Sequence, residues 1–246
     1  MNQRKQIKAI AFDGDMTLWD FEKVMRHALA LSLAELRRRI PGRSASDLTI
    51  DKLIAIRDTV AAEFKGKRVQ LEDIRLHAFK RTLEYAGCPD DALAADLNAL
   101  YLKHRFEDIE LYPDVLPCLD DFRADYTLGF ISNGNGYPER CGLPDRFSFV
   151  MLSQDVGIEK PAAGIFLAAC QQAGCALCEL MHVGDSLASD VAGANRVGAI
   201  SVWLNRNGVS NTSNIAPNYA IRSLTELDRI VSKHRESPDK PEASGD

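Results

Sequence analysis

"IKAIAFDGDMTLWD", residues 7–20, runs from an unbroken apolar segment straight into two carboxylates, Asp13 and Asp15, with a hydroxyl at Thr17. The short apolar run suits a strand buried on both faces of a parallel sheet. Paired acids at the end of such a strand repel each other and resist desolvation, so a cation or a shared proton is needed to keep them there. If the chain stays extended past the strand, positions two apart point the same way and both acids fall on one side.

Beyond Asp20 the hydrophobic period changes. "FEKVMRHALALSLAELRRRI", "LTIDKLIAIRDTVAAEF", "LEDIRLHAFKRTLEYAG" and "DDALAADLNALYLKHRF" carry apolar residues at helical spacing, with "PGRSAS", "KGKRVQ" and "GCPD" as breakers between them. After "LYPDV" short strands alternate with helices: "YTLGFIS", "FSFVMLS", "LMHVGDS" and "AISVWLN" read as strands, "PAAGIFLAACQQAG" and "ASDVAGANRVG" as helices, and "YAIRSLTELDRIVSKH" as a short strand leading into a helix. Such alternation predicts an α/β fold, a Rossmann-like parallel sheet with helices on both faces. The sheet is interrupted after its first strand by an all-α unit. The expected division is residues 1–18 and 112–234 for the α/β core, 19–111 for the helical unit, and 235–246 for a disordered polar tail.

Composition narrows the function classes. A chain of 246 residues, 46% hydrophobic, can bury a substantial core. Its net charge of −5 offers no general attraction to nucleic acid. No segment approaches the ~20 apolar residues of a membrane helix, and the apolar run after the basic start is too short for a secretory signal, so a cytoplasmic location is expected. The cysteines are scattered, as reduced thiols are. The one close pair, Cys175 and Cys178, lacks two further zinc ligands at sensible spacing, and His27, His77, His104, His182 and His234 show no paired pattern.

In open parallel sheets ligands bind outside the carboxyl ends of the strands, and four polar clusters fall at such ends. The first holds Asp13, Asp15 and Thr17. In the second, "ISNGNG", Ser132 offers a hydroxyl while Asn133 and Gly134 offer backbone amides in a turn able to approach an anion. In the third, "GIEKPAAGIF", Lys160 precedes a proline-initiated helix, so ammonium and helix N-terminus both favour negative charge. In the fourth, "HVGDSLASDVAGA", Asp185 ends a strand with Ser186 and Asp190 close behind. The carboxylates suit a hard cation such as Mg²⁺, which takes few protein oxygens and shares its shell with water and phosphate. The lysine, serine and amides suit the phosphate.

With these motifs in this order, over about residues 7–235, the chain resembles the haloacid dehalogenase superfamily, in its phosphatase-like branch with a helical cap inserted after the first core strand. "FDGDMT" is similar to the family's Asp-x-Asp-x-Thr motif, Ser132 to its second motif, Lys160 to its lysine motif, and "GDSLASD" to its acidic fourth motif. The resemblance implies a phosphatase acting on a small phosphorylated metabolite. Asp13 would be the nucleophile forming an aspartyl-phosphate, and Asp15 the acid and then the base. Mg²⁺ would be held by the Asp13 and Asp185 carboxylates and the Asp15 backbone carbonyl. Ser132 and Lys160 would bind the phosphoryl oxygens, and Asp190 and Ser186 would position Lys160 and the metal ligands. A phosphomutase shares these residues. A 2-haloacid dehalogenase typically lacks the second aspartate, and a non-catalytic binding protein could share the fold.

The chain departs from the family pattern at three places. Met16 stands where the first motif usually has glycine, the stretch after Ser132 is short, with no role assigned to Tyr137 or Arg140, and Ala163 replaces a common second proline. Outside the motifs, His182 reads as a packed core histidine and Arg37 to Arg39 as a solvated helix face. Trp203 reads as packing, and Trp19 as packing under the hinge or touching substrate.

Overall fold

The computed structural model describes residues 6–40, 47–67 and 69–235. Its sheet has six strands: β1 (Ala9–Phe12), β2 (Thr127–Ser132), β3 (Phe149–Leu152), β4 (Leu180–Gly184), β5 (Ile200–Leu204) and β6 (Tyr219–Ile221). Their order is β3-β2-β1-β4-β5-β6, with every neighbouring pair parallel. All four β1 residues are buried, because β1 is central and covered on both faces. Ile10 and Phe12 enter one apolar cluster and Ala9 and Ala11 the other, as the two-residue period of a strand requires.

Helices cover both faces. On the Phe12 side pack α5 (Val115–Phe122), through Val115, Leu119 and Phe122, and α9 (Leu227–Arg235), through Ile230 and Val231. On the other side lie α7 (Ala163–Ala173), through Ile165 and Phe166, and α8 (Ala192–Val197), through Ala194. A one-turn helix, α6 (Ser153–Val156), follows β3. The helix α5 was not anticipated by the strand-and-helix alternation. Its Pro117 sits in the first turn, where a missing N–H removes no intrahelical bond.

Between β1 and α5 come α1 (Phe21–Arg39), α2 (Ile50–Glu63), α3 (Leu71–Tyr85) and α4 (Asp91–Glu107). Three of them begin at side-chain caps, with Asp20, Thr49 and Asp90 accepting from Lys23 N, Lys52 N and Leu93 N. Their apolar faces build a separate cluster from Leu29, Leu33 and Leu36 of α1, Phe79 and Leu83 of α3, and Leu97 and Tyr101 of α4. Each buried Leu or Phe there contributes roughly 1.5–3 kcal/mol. The chain leaves and re-enters the sheet unit at adjacent points: Trp19 bridges to Leu111, and Tyr112 N donates to Leu18 O at 3.0 Å. The breaker at residues 41–46 and the tail beyond Arg235 lie outside the described residues, and Arg235 itself ends α9.

Strand order reverses around β1, since β2 and β3 build outward on one side and β4 to β6 on the other. The crevice at the carboxyl ends of β1, β2 and β4 is therefore the switch point at which open α/β sheets bind ligands.

Candidate active site

Register places three of the four polar clusters side by side, while Lys160, expected at a strand end, instead follows the one-turn helix α6 and reaches the same edge through its side chain. Phe12 pairs with Phe130 and with Val183, so the residues just beyond β1, β2 and β4 meet at one edge. Asp13 N continues the ladder by donating to Val183 O at 2.9 Å, which fixes where the first acid emerges.

Lys160 is the hub of the site. It is 3% exposed, and its Nζ donates to Asp13 Oδ1 at 2.6 Å, Asp190 Oδ1 at 2.7 Å and Ile131 O at 2.7 Å. These three acceptors match the three protons of an ammonium. Asn133 holds the lysine's backbone from both ends: its Oδ1 accepts from Lys160 N at 2.8 Å and its Nδ2 donates to Lys160 O at 2.9 Å. The Asn133 side chain thus positions Lys160.

Asp190 is buried between Lys160 and two further partners. Ser186 N donates to its Oδ2 at 3.0 Å, and His182 Nε2 lies 2.9 Å from Oδ1. Burial opposes its charge, but Lys160 and His182 outweigh it and hold the carboxyl well below the usual range. His182 is packed against the Phe166 ring, as expected of a core histidine, yet it also steadies Asp190. Gly184 makes room for this arrangement, since a Cβ there would stand 2.2 Å from Asp190 Cγ.

Asp13 and Asp15 occupy unlike surroundings. Burial pushes the Asp13 carboxyl up to about 7 despite Lys160, with the Asp190 and Asp185 charges adding to the rise. Asp15 turns the other way: its Oδ1 accepts from Trp19 Nε1 at 2.7 Å and from Arg105 Nη2 at 2.9 Å. Its Oδ2 faces Gly134, where a Cβ would come within 2.8 Å. Ser132 Oγ accepts from Gly134 N at 3.1 Å, so hydroxyl and amide share one turn. Met16 takes φ 63°, the left-handed conformation that favours glycine, so the turn keeps its shape at the expense of strain in the methionine.

Asp185 is the first residue past β4 and is only partly buried; desolvation and then the nearby Asp190 charge push its carboxyl up to about 6. The Trp203 indole donates to Asp185 O at 2.8 Å, a role beyond packing. Oxygens of Asp13, Asp185 and Asp190 lie within 4.8 Å of one another. Asp190 is taken up by Lys160, His182 and Ser186, so Asp13 and Asp185 are the pair that could hold a cation. Two acids with raised pKa values beside a third, ionised one are what a hard cation relieves. Ser186 reaches the Lys160 network through its backbone N–H on Asp190, while the hydroxyls of Thr17 and Ser186 make no hydrogen-bond contact with Asp13 or Asp185. Thr17 Oγ1 is buried without a partner among the described residues, and Ser186 Oγ caps its own turn by accepting from Ser189 N.

Three contributors lay outside the motifs. Arg105 comes from α4 of the helical unit, 2% exposed, with its guanidinium 4.5 Å from the centre of the Phe21 ring. Arg206 forks onto both oxygens of Asp114 at 2.9 Å and donates to Thr17 O at 2.9 Å. Asp114 also accepts from Ser223 Oγ and Leu224 N, so it ties the re-entry point to the far end of the sheet. Burial opposes its ionisation, but the Arg206, Leu224 and Ser223 hydrogen bonds together hold the carboxyl below its ordinary value. Such an acid stabilises the fold above its unfolded pKa and loses that contribution as pH falls through the folded one. Asp114→Asn is accordingly expected to cost about 1.5–3 kcal/mol at pH 7, from urea denaturation, with the deficit shrinking below roughly pH 4.

On the helical unit, His27, His104 and Asp108 form a second cluster whose donor atoms lie within 4.8 Å. The histidines do pair in space, which their separation along the chain conceals. Asp108 Oδ2 contacts both rings, at 3.1 and 2.7 Å.

The haloacid dehalogenase-like hydrolase family matches residues 7–198. Glyceraldehyde 3-phosphate phosphatase of Methanopyrus kandleri is 29% identical, over 81% of this chain and 84% of that one. N-acylneuraminate-9-phosphatase of Homo sapiens is 25% identical over 92% and 94%. Among solved structures, 2-haloacid dehalogenase from Pseudomonas syringae pv. Tomato DC3000 superposes with a TM-score of 0.77 at 30% identity, covering 93% of this chain and 99% of that one.

Proposed function

Since the chain belongs to the haloacid dehalogenase-like hydrolases, we propose that it is a Mg²⁺-dependent phosphatase that hydrolyses a small phosphorylated metabolite through an aspartyl-phosphate. The observation that carries this reading is the pair of carboxylates in contrasting settings. Asp13 is buried against the Lys160 ammonium, while Asp15 is turned toward Trp19 and Arg105. Two acids pushed into different environments are what separate nucleophile and acid–base roles require.

In this reading Asp13 attacks phosphorus, and Lys160 offsets the repulsion between its carboxylate and the incoming dianion. Ser132 Oγ and the Asn133 and Gly134 amides receive the phosphoryl oxygens. Asp15 gives its proton to the leaving oxygen, then takes one from the water that cleaves the aspartyl-phosphate. Mg²⁺, held by Asp13, Asp185 and the Asp15 backbone carbonyl, would supply charge neutralisation at the phosphoryl group. Residues 19–111 act as a lid that keeps bulk water out, with Trp19 and Leu111 at the hinge. The two named phosphatases among its relatives support this assignment.

The Pseudomonas syringae relative gives a second reading, carbon–halogen hydrolysis. Asp15 speaks against it, because that reaction has no leaving oxygen to protonate. The deciding experiment measures inorganic phosphate from sugar phosphates, nucleotides and phospho-acids, with Mg²⁺ and with EDTA, beside halide release from 2-haloacids. Phosphate release abolished by EDTA is expected; metal-independent halide release without phosphate release would replace the proposal with the dehalogenase.

A further inference from the structure

His27, His104 and Asp108 converge on one point of the helical unit and take no part in the proposed reaction. His104 and Asp108 are four residues apart across the end of α4, a spacing that puts both side chains on one face. His27 reaches the same point from the first turns of α1. His27 Nε2 and His104 Nδ1 both aim at a single carboxylate oxygen, Asp108 Oδ2, at 3.1 and 2.7 Å. The two rings stand at 88° with their centres 6.2 Å apart, and all three donor atoms lie within 4.8 Å of one another.

Hydrogen bonding alone makes demands on such a cluster. A neutral imidazole donates through one nitrogen only, so these contacts require a proton on each nitrogen that faces Asp108. A divalent ion at the centre replaces both protons and takes a lone pair from all three groups. The ligands of a tetrahedral zinc ion, bonded at about 2.0–2.1 Å, stand roughly 3.3 Å from one another, close to the two separations found at Asp108. Two imidazole nitrogens and one carboxylate oxygen suit zinc-like ions and suit Mg²⁺ poorly, since Mg²⁺ prefers oxygen ligands. The cluster is also open to solvent. His27 is half exposed and His104 and Asp108 partly so, which gives an ion a path in and leaves the fourth position to water.

Its place in the fold gives the ion a consequence. His27 follows Trp19 by eight residues and Asp108 precedes Leu111 by three, and Trp19 and Leu111 pair where the chain leaves and re-enters the sheet unit. Lys23, one turn before His27, meets Glu110 at 2.5 Å along the same seam. We infer that His27, His104 and Asp108 bind one zinc-class divalent ion, which clamps the start of α1 to the end of α4. This site shares no residue with the Asp13 and Asp185 pair.

Calorimetric titration of the purified full chain with Zn²⁺ tests this, in a millimolar excess of Mg²⁺ that occupies the paired acids. Cys175→Ser/Cys178→Ser serves as the control for binding by thiols. One Zn²⁺ per chain is expected in both proteins, together with a thermal midpoint that Zn²⁺ raises. In His27→Ala and in His104→Ala the affinity is expected to fall by about tenfold or more and the rise in midpoint to vanish. Both side chains lie at the surface, so melts without Zn²⁺ are expected to match the wild type, and Asp108→Asn supplies a third variant of near-identical shape. Absence of Zn²⁺ uptake by the wild type, a result that needs no variant to fold, would overturn the inference. So would uptake that all three variants retain at full affinity, or that only the cysteine variant loses.

Discussion

Asp13→Asn is expected to lose phosphate release by about 10⁴-fold or more while the protein stays folded. The amide keeps the shape of the carboxylate but cannot form an acyl phosphate, so the chemical step is removed and not merely slowed by weaker binding. Stability separates this from damage to the fold. In the native chain burial holds the Asp13 proton up to about pH 7, against an ordinary value of 3.8. The unfolded chain therefore carries fewer protons across that interval, and without a cation the native state loses stability as pH rises through it. Asparagine has no such penalty. At pH 8, with EDTA present, the thermal midpoint of Asp13→Asn is expected at or above that of the wild type. Phosphate release within tenfold of the wild-type rate would falsify the nucleophile role.

The sequence made most of the sheet-edge residues legible because three of the four motifs follow directly on a strand, whereas Lys160 comes after β3 and the one-turn helix α6. A buried parallel strand must be apolar, so the first polar residue after "IKAIAF", "TLGFIS" or "LMHVG" marks the carboxyl end, where ligands bind. The same logic could not reach Arg105, Arg206 or Asp114, whose partners lie far along the chain. A weak signal for Arg105 was nevertheless present. On α4, Leu97, Tyr101 and Arg105 recur every four residues. An arginine in an apolar stripe breaks the helical pattern, and such local inconsistency marks functional positions. Near the end of α4, a basic residue also complements the helix dipole, so Arg105 there does not stand out from the sequence alone. His182 was hidden for a related reason: a histidine within an apolar strand looks like packing until the turn after β4 is seen to bring Asp190 back beneath it.

Lys160→Met should be the most damaging single change to stability in the site. Methionine fills similar volume, but it leaves Asp13 and Asp190 buried without their shared cation. Asp190 keeps His182 and Ser186 N; Asp13 loses the one counter-charge that opposed its desolvation. Removing one member of a buried ion pair costs about 3–5 kcal/mol, which for a chain of this size corresponds to roughly 10 °C in the thermal midpoint. The direction with pH follows from Asp13. Without Lys160 its pKa rises further, so at pH 5 the carboxyl is neutral and the deficit shrinks, while at pH 8 it is ionised and the deficit is full. Mg²⁺ should restore part of the midpoint at pH 8, because a cation between Asp13 and Asp185 replaces some of the missing charge. It should not restore turnover, since no group then offsets the dianion's repulsion at Asp13, and the rate stays down by about 10³-fold. Thermal melts at pH 5 and 8, with and without Mg²⁺, together with phosphate release, separate the two roles of this lysine. A pH-independent midpoint equal to the wild type's would mean that Lys160 is not the charge that holds the paired acids in place.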